Sequence, residues 1–135
     1  MKKLVVIDGQ GGRLGKLLVE AVKNEGLDLE ITAVGTNAVA TAAMLKAGAD
    51  QGATGENPVI VACRDADVIA GPIGIAIADS LLGEVTPAMA LAVGQCAALK
   101  LLLPVSHCSN QVIGVRSQSM NDMVREAVER LKTLE

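Results

Sequence analysis

A run of four apolar residues, Leu4-Val5-Val6-Ile7, stops at Asp8-Gly9, and three further glycines, Gly11, Gly12 and Gly15, follow before apolar residues resume. Nothing else in the chain limits its fold as much. A continuous β-prone run suits a strand covered on both faces, as in a parallel sheet flanked by helices. From Leu14 the apolar residues Leu14, Leu17, Leu18, Ala21 and Val22 recur at helical spacing until Gly26, which predicts a helix starting at the end of the glycine loop. Strand, tight glycine turn and helix together make the first unit of a βαβ fold.

The rest of the chain repeats that unit. Residues 29–34 read as a second strand, Gly35-Thr36-Asn37 as its exit loop, and residues 38–47 as an alanine-rich helix closed by Gly48. Residues 48–56 read as a loop. After it, Asn57-Pro58 opens a short helix or residues 59–62 form a strand; both readings stay open. Residues 67–70 form a strand leading into the tight turn Gly71-Pro72-Ile73-Gly74 and a helix over 75–82. Thr86-Pro87 is an N-cap with proline at the first helical position, so residues 88–95 are helical. Residues 100–105 and 111–115 read as two last strands around a polar loop. The final helix starts at Ser119, with Asp122 three residues on, and presents Met123, Ala127, Val128 and Leu131 on one face. Strands alternating with helices imply right-handed crossovers and a parallel sheet. The expected fold is α/β, a single small Rossmann-like doubly wound domain over residues 1–135 with a mainly parallel sheet.

Composition narrows what such a domain does. The net charge is −3, and Lys and Arg are scattered, which argues against a nucleic-acid partner or an anionic membrane surface and for a small-molecule partner. Met1-Lys2-Lys3 is followed by only Leu4 to Ile7 before Asp8, short of the roughly 7–15 apolar residues of a signal peptide, and cytoplasmic location is expected. Residues 88–103 are the most apolar stretch, but Gln95 and Lys100 interrupt them and Pro104 closes them, so no membrane anchor is expected. Cys63, Cys96 and Cys108 are odd in number and far apart, which suits reduced thiols and offers no metal site. There is no Phe, Tyr or Trp. That removes a Tyr general acid and any aromatic platform for stacking flavin, nicotinamide or single-stranded nucleic acid.

In a doubly wound sheet the first strand-to-helix turn lies at the carboxyl edge, where backbone N–H groups and the positive helix end attract phosphate. Gly9, Gly12 and Gly15 have the spacing G-x-x-G-x-x-G, and Gly11 adds another position without Cβ. Gly9 is expected to make the turn, Gly12 to admit the phosphate and Gly15 to let helix approach strand. On this reading Gly12→Val abolishes binding and leaves the protein folded. A mononucleotide P-loop is excluded, because Gln10 stands at its first glycine and Leu17 at the hydroxyl that would hold Mg²⁺. Arg13 stands at the helix start, able to reach a phosphate or to cover the helix end.

An NAD site places an acid after the second strand to hold the ribose. Thr36 and Asn37 stand there instead, either as ribose or 2′-phosphate contacts, which favours NADP over NAD, or with Asn37 as a helix cap. The expected cofactor-binding set is therefore Gly9, Gln10, Gly11, Gly12, Arg13, Leu14, Thr36 and Asn37, joined by Gly71 and Ile73 from the second tight turn. Asp8 is either a metal or ribose ligand or ordinary turn chemistry. Thr54, Glu56, Asn57, Ser80, Glu84 and Thr86 either line a cleft opposite the nucleotide or cap helices. His107, the only histidine, is the first choice for proton transfer; Cys108 beside it points away on an extended segment.

Three stretches together resemble a family of short, functionally uncharacterised bacterial proteins, a domain of unknown function. They are Val6 to Gly12, then Gly35-Thr36-Asn37-Ala38 with Gly52-Ala53-Thr54-Gly55-Glu56-Asn57, then Gly71-Pro72-Ile73-Gly74-Ile75 with Gly83-Glu84-Val85-Thr86-Pro87. The resemblance spans nearly the whole chain and implies a Rossmann-like fold, with no activity or catalytic residue attached. Locally, residues 9–15 are similar to the loop of dihydrodipicolinate reductases, which bind NADH or NADPH, but the chain is too short for their substrate domain. The expected function is binding of a nucleotide or dinucleotide of NAD(P) type, without a metal, in a homo-oligomer that builds a cleft between subunits. One alternative is an enzyme acting on a nucleoside or small phosphorylated metabolite. The other is a non-catalytic structural or regulatory protein.

Overall fold

The computed structural model describes residues 1–105 and 109–134. The elements run β1 (Lys2–Asp8), α1 (Arg13–Asn24), β2 (Leu29–Gly35), α2 (Ala38–Ala47), β3 (Gln51–Thr54), α3 (Glu56–Cys63), β4 (Val68–Pro72), a 3₁₀ turn (Ile73–Ala76), α4 (Pro87–Gln95), β5 (Leu99–Leu103) and α5 (Met120–Lys132). The sheet order is β3-β2-β1-β4-β5, and every pairing is parallel. This is a single small Rossmann-like α/β domain, doubly wound, with an all-parallel sheet.

The alternation of β1 assigns the two layers. Leu4 and Val6 pack against α1, α2 and α5, while Val5 and Ile7 pack against α3 and α4. Both faces of the central strand are thus buried, as its unbroken apolar run requires. In the absence of aromatic rings the core is filled by branched aliphatics and by Met44, which is fully buried. Because β1 and β4 are neighbours while β2 lies on the other side of β1, the sheet has its topological switch point between β1 and β4. Ligands of open α/β sheets bind outside the carboxyl ends of the strands at such a point.

Three segments differ from expectation, and a fourth resolves a reading left open. Residues 51–54 pair with β2 as an edge strand, although Gly and Ala are poor β formers and all four residues are exposed. Side chains support this pairing: Gln51 Nε2 donates to Thr32 Oγ1 at 2.9 Å, and buried Thr41 reaches the Ala53 carbonyl and the Thr54 hydroxyl. Residues 56–63 resolve as helix α3, which buries Val59 and Cys63. The helix expected over 75–82 is a 3₁₀ turn followed by an irregular loop, closed by the Asp79 amide on the Val85 carbonyl (2.7 Å) and the Val85 amide on that of Ser80 (3.1 Å). Residues 111–115 form no strand, and Val112, Ile113 and Val115 are exposed. Among the described residues no helix is long and apolar enough to cross a membrane.

Candidate functional site at the switch point

The glycine loop is fixed from within by Asp8. Gly12 is the N-cap of α1 and has no side chain to cap it. Asp8, at the end of β1, substitutes: one carboxylate oxygen accepts the Gly15 amide at 2.7 Å, the other the Gly9 amide at 2.8 Å. The ordinary turn reading of Asp8 is therefore the one found. Asp8 is only 5% exposed, and this burial pushes its carboxyl upward, opposed by the amides of Gly15 and Gly9. The Gly12 amide closes the turn on the Gly9 carbonyl at 2.9 Å. Among the described residues the amides of Gly11 and Arg13 donate to nothing within the protein, and the exposed Arg13 has no ion pair.

Two glycines of the loop have different tasks. Gly12 has φ +72°, and a Cβ there would stand 2.8 Å from the Ala40 Cα and 3.0 Å from its carbonyl oxygen. It is bare so that α1 can start against α2. At Gly11 a Cβ would meet nothing within 4 Å. The expectation that Gly12→Val spares the fold is thus corrected, and Gly11 is the position where added bulk enters open space.

Thr36 and Asn37 turn inward to an acid that sequence spacing could not place beside them. Glu84 Oε1 accepts the Gln10 amide at 2.8 Å, the Thr36 hydroxyl at 2.7 Å and the Asn37 side-chain amide at 2.8 Å. Burial raises the Glu84 carboxyl, but the bonds from Gln10, Thr36 and Asn37 outweigh it and hold it below its usual value. Asn37 also caps α2, its Oδ1 accepting the Ala40 amide at 2.9 Å. The exit of β2, where a dinucleotide would lay its adenine ribose, is closed by this acid.

On the other side of the loop lies a cavity of about 460 Å³. Residues 8–14 form its floor, Asp79, Ser80, Leu81 and Leu82 one wall, and Pro72, Val105 and Met120 part of another. The size falls in the range of small-molecule sites, roughly 300–1,000 Å³. Ser80 is 8% exposed, and its hydroxyl has no partner among the described residues. An unpartnered buried hydroxyl costs about 1–3 kcal/mol, which singles out Ser80 among the cavity residues. The wall carrying it is strained: Asp79, Leu81 and Leu82 have φ of 66°, 57° and 56°, a conformation that disfavours side chains with Cβ.

Larger grooves of about 580 and 920 Å³ run beside β5, residues 110–118 and α5, away from the glycine loop. Of the expected set, Gly9, Gln10, Gly11, Gly12, Arg13 and Leu14 gather at the switch-point cavity. Thr36 and Asn37 lie across the loop from it under Glu84. Gly71 is buried in β4, where a Cβ would collide with the Ile7 carbonyl, and Ile73 borders the 580 Å³ groove. Ser80 and Glu84 hold the more telling positions, and their only sequence signal is proximity to the second turn. Glu56 accepts the Thr86 hydroxyl at 2.6 Å, linking α3 to the start of α4. Cys63 is pushed up to about 11, first by burial and then by neighbouring Cys96, which makes it an inert thiol. His107 and Cys108 lie outside the described residues.

No curated protein matches the chain. A solved structure similar to it is a dodecameric FMN-dependent UbiX-like decarboxylase from Escherichia coli O157:H7, 15% identical, with 97% of this chain and 93% of that one covered and a TM-score of 0.41. The expectation of NADP or NAD is corrected here. Glu84 takes the Thr36 and Asn37 donors that the adenine-ribose end would need. Residues 3–135 match the family described as "Domain of unknown function (DUF3842)", and the chain belongs to that family.

Proposed function

We propose that this domain binds a small ligand carrying one phosphate in the switch-point cavity. The observation that carries the reading is a convergence: the undonated amides of Gly11 and Arg13 lie in the same cavity lining as the unpartnered Ser80 hydroxyl. Backbone amides at the start of α1 attract the phosphate, with the Arg13 guanidinium beside them. Ser80 fixes the ligand's hydroxylated body against Leu81, Leu82 and Met120. With no Phe, Tyr or Trp in the chain, that body is held by aliphatic contact and hydrogen bonds. Leu82, 96% exposed at the rim, is the surface that a second copy would cover in a homo-oligomer.

The test is dye-monitored thermal shift followed by calorimetry with AMP, FMN, ribose 5-phosphate and glycerol 3-phosphate, with NADP as the negative control. At least one monophosphate is expected to bind. Gly11→Val should remove that binding with the melting temperature unchanged, and Ser80→Ala should weaken it about tenfold, the equivalent of one neutral hydrogen bond. If no monophosphate shifts the melting temperature, or if Gly11→Val binds as well as the parent, the reading fails.

A further inference from the structure

We infer that the Gln10 amide, the Thr36 hydroxyl and the Asn37 side-chain amide form an oxyanion site that Glu84 fills from within the chain and that an external phosphate takes by displacing it. The inference goes beyond the cavity ligand, because these donors lie on the β2 side of the glycine loop.

Three donors from two separate segments converge on one oxygen, at 2.8, 2.7 and 2.8 Å. A single anionic oxygen with three charge-assisted hydrogen bonds is the environment that backbone nests and side-chain amides offer to a phosphate oxygen. The Gln10 and Asn37 donors do not depend on Glu84 for their positions, and the Thr36 hydroxyl is carried by a backbone that does not either. The Thr36 amide is held on the Asp8 carbonyl at 2.9 Å. Asn37 is held by the Ala40 amide on its Oδ1 and by its own Nδ2 on the Gln10 carbonyl, both at 2.9 Å. The space is built as well: a Cβ on Gly9 would stand 2.5 Å from the Thr36 hydroxyl oxygen and 2.9 Å from Glu84 Oε1, so only glycine leaves room for an anion there.

The occupant, by contrast, comes from an irregular loop. Glu84 belongs to no helix or strand and rides on the loop whose Asp79, Leu81 and Leu82 have positive φ. Departure of its carboxylate to solvent leaves three donors facing one point.

The experiment uses the full chain and inorganic phosphate at constant ionic strength, read by calorimetry. Glu84→Ala should bind phosphate at least about tenfold tighter than the parent, and adding Thr36→Val should cancel the gain. Gly11→Val in the Glu84→Ala background should keep the gain, which separates this site from the cavity. Loss of the gain with Gly11→Val would put the phosphate in the cavity and overturn the inference. So would a folded Glu84→Ala protein that binds phosphate no better than the parent. Should Glu84→Ala not fold, amide NMR of the parent chain decides: rising phosphate must shift the Gln10 amide and the Asn37 side-chain NH₂ signals, and unmoved signals overturn the inference.

Discussion

On its two sides the glycine loop meets opposite circumstances. Towards β2, a carboxylate from residue 84 saturates the Gln10, Thr36 and Asn37 donors. Towards β4, Gly11, Arg13 and Ser80 line a cavity, and the Gly11 and Arg13 amides and the Ser80 hydroxyl make no bond within the described protein. One turn therefore presents a self-satisfied half and a receptive half. The lesson is that a glycine spacing specifies a turn, and the groups brought to it by distant loops decide what that turn can hold.

The largest effect expected from breaking this comparison comes from the loop's own glycines. Gly12→Val forces a β-branched side chain into φ +72° and against the Ala40 backbone, so it should destabilise the fold by about 2–5 kcal/mol. Gly11→Val, one residue away, points into open space and should leave stability within about 0.5 kcal/mol of the parent. Chemical denaturation of the two variants checks the contrast. Equal losses would mean that the loop is a structural turn on both sides.

Much of the fold was legible because its signals are local. The unbroken Leu4 to Ile7 run, the Thr86-Pro87 cap and the Ser119 cap each act within one turn of chain, and the structure puts β1, α4 and α5 there. Strand β3 was not legible, since its pairing with β2 and the side-chain bonds from Thr41 and Thr32 that support it come from outside its own four residues. Residues 75–82 carry helix-forming Ala, Ile and Leu, but the mutual bonds of Asp79, Ser80 and Val85 override that propensity. The site divides in the same way. The Gly9 to Leu14 turn could be read from its neighbours, whereas Glu84 lies 74 positions from Gln10 and 48 from Thr36, and no spacing rule joins them.

The smallest expected effect sharpens the comparison through pH. Glu84 is held below its ordinary value of 4.5, so its stabilising contribution is present above pH 4.5 and is lost as pH falls through the lower folded value. Asp8 is pushed above its ordinary value of 3.8, so its contribution is full below pH 3.8 and is lost as pH rises through the higher folded value. The two carboxylates flanking one loop therefore respond to acid with opposite signs. On acidification from pH 6, the stability difference between parent and Asp8→Asn should move in the parent's favour. The difference between parent and Glu84→Gln should move against the parent, chiefly below pH 4.5. Urea denaturation of the three proteins at intervals from pH 6 to pH 3 measures both trends. Parallel trends would show that Asp8 and Glu84 share one environment, and the division of the loop into a filled and a receptive half would not stand.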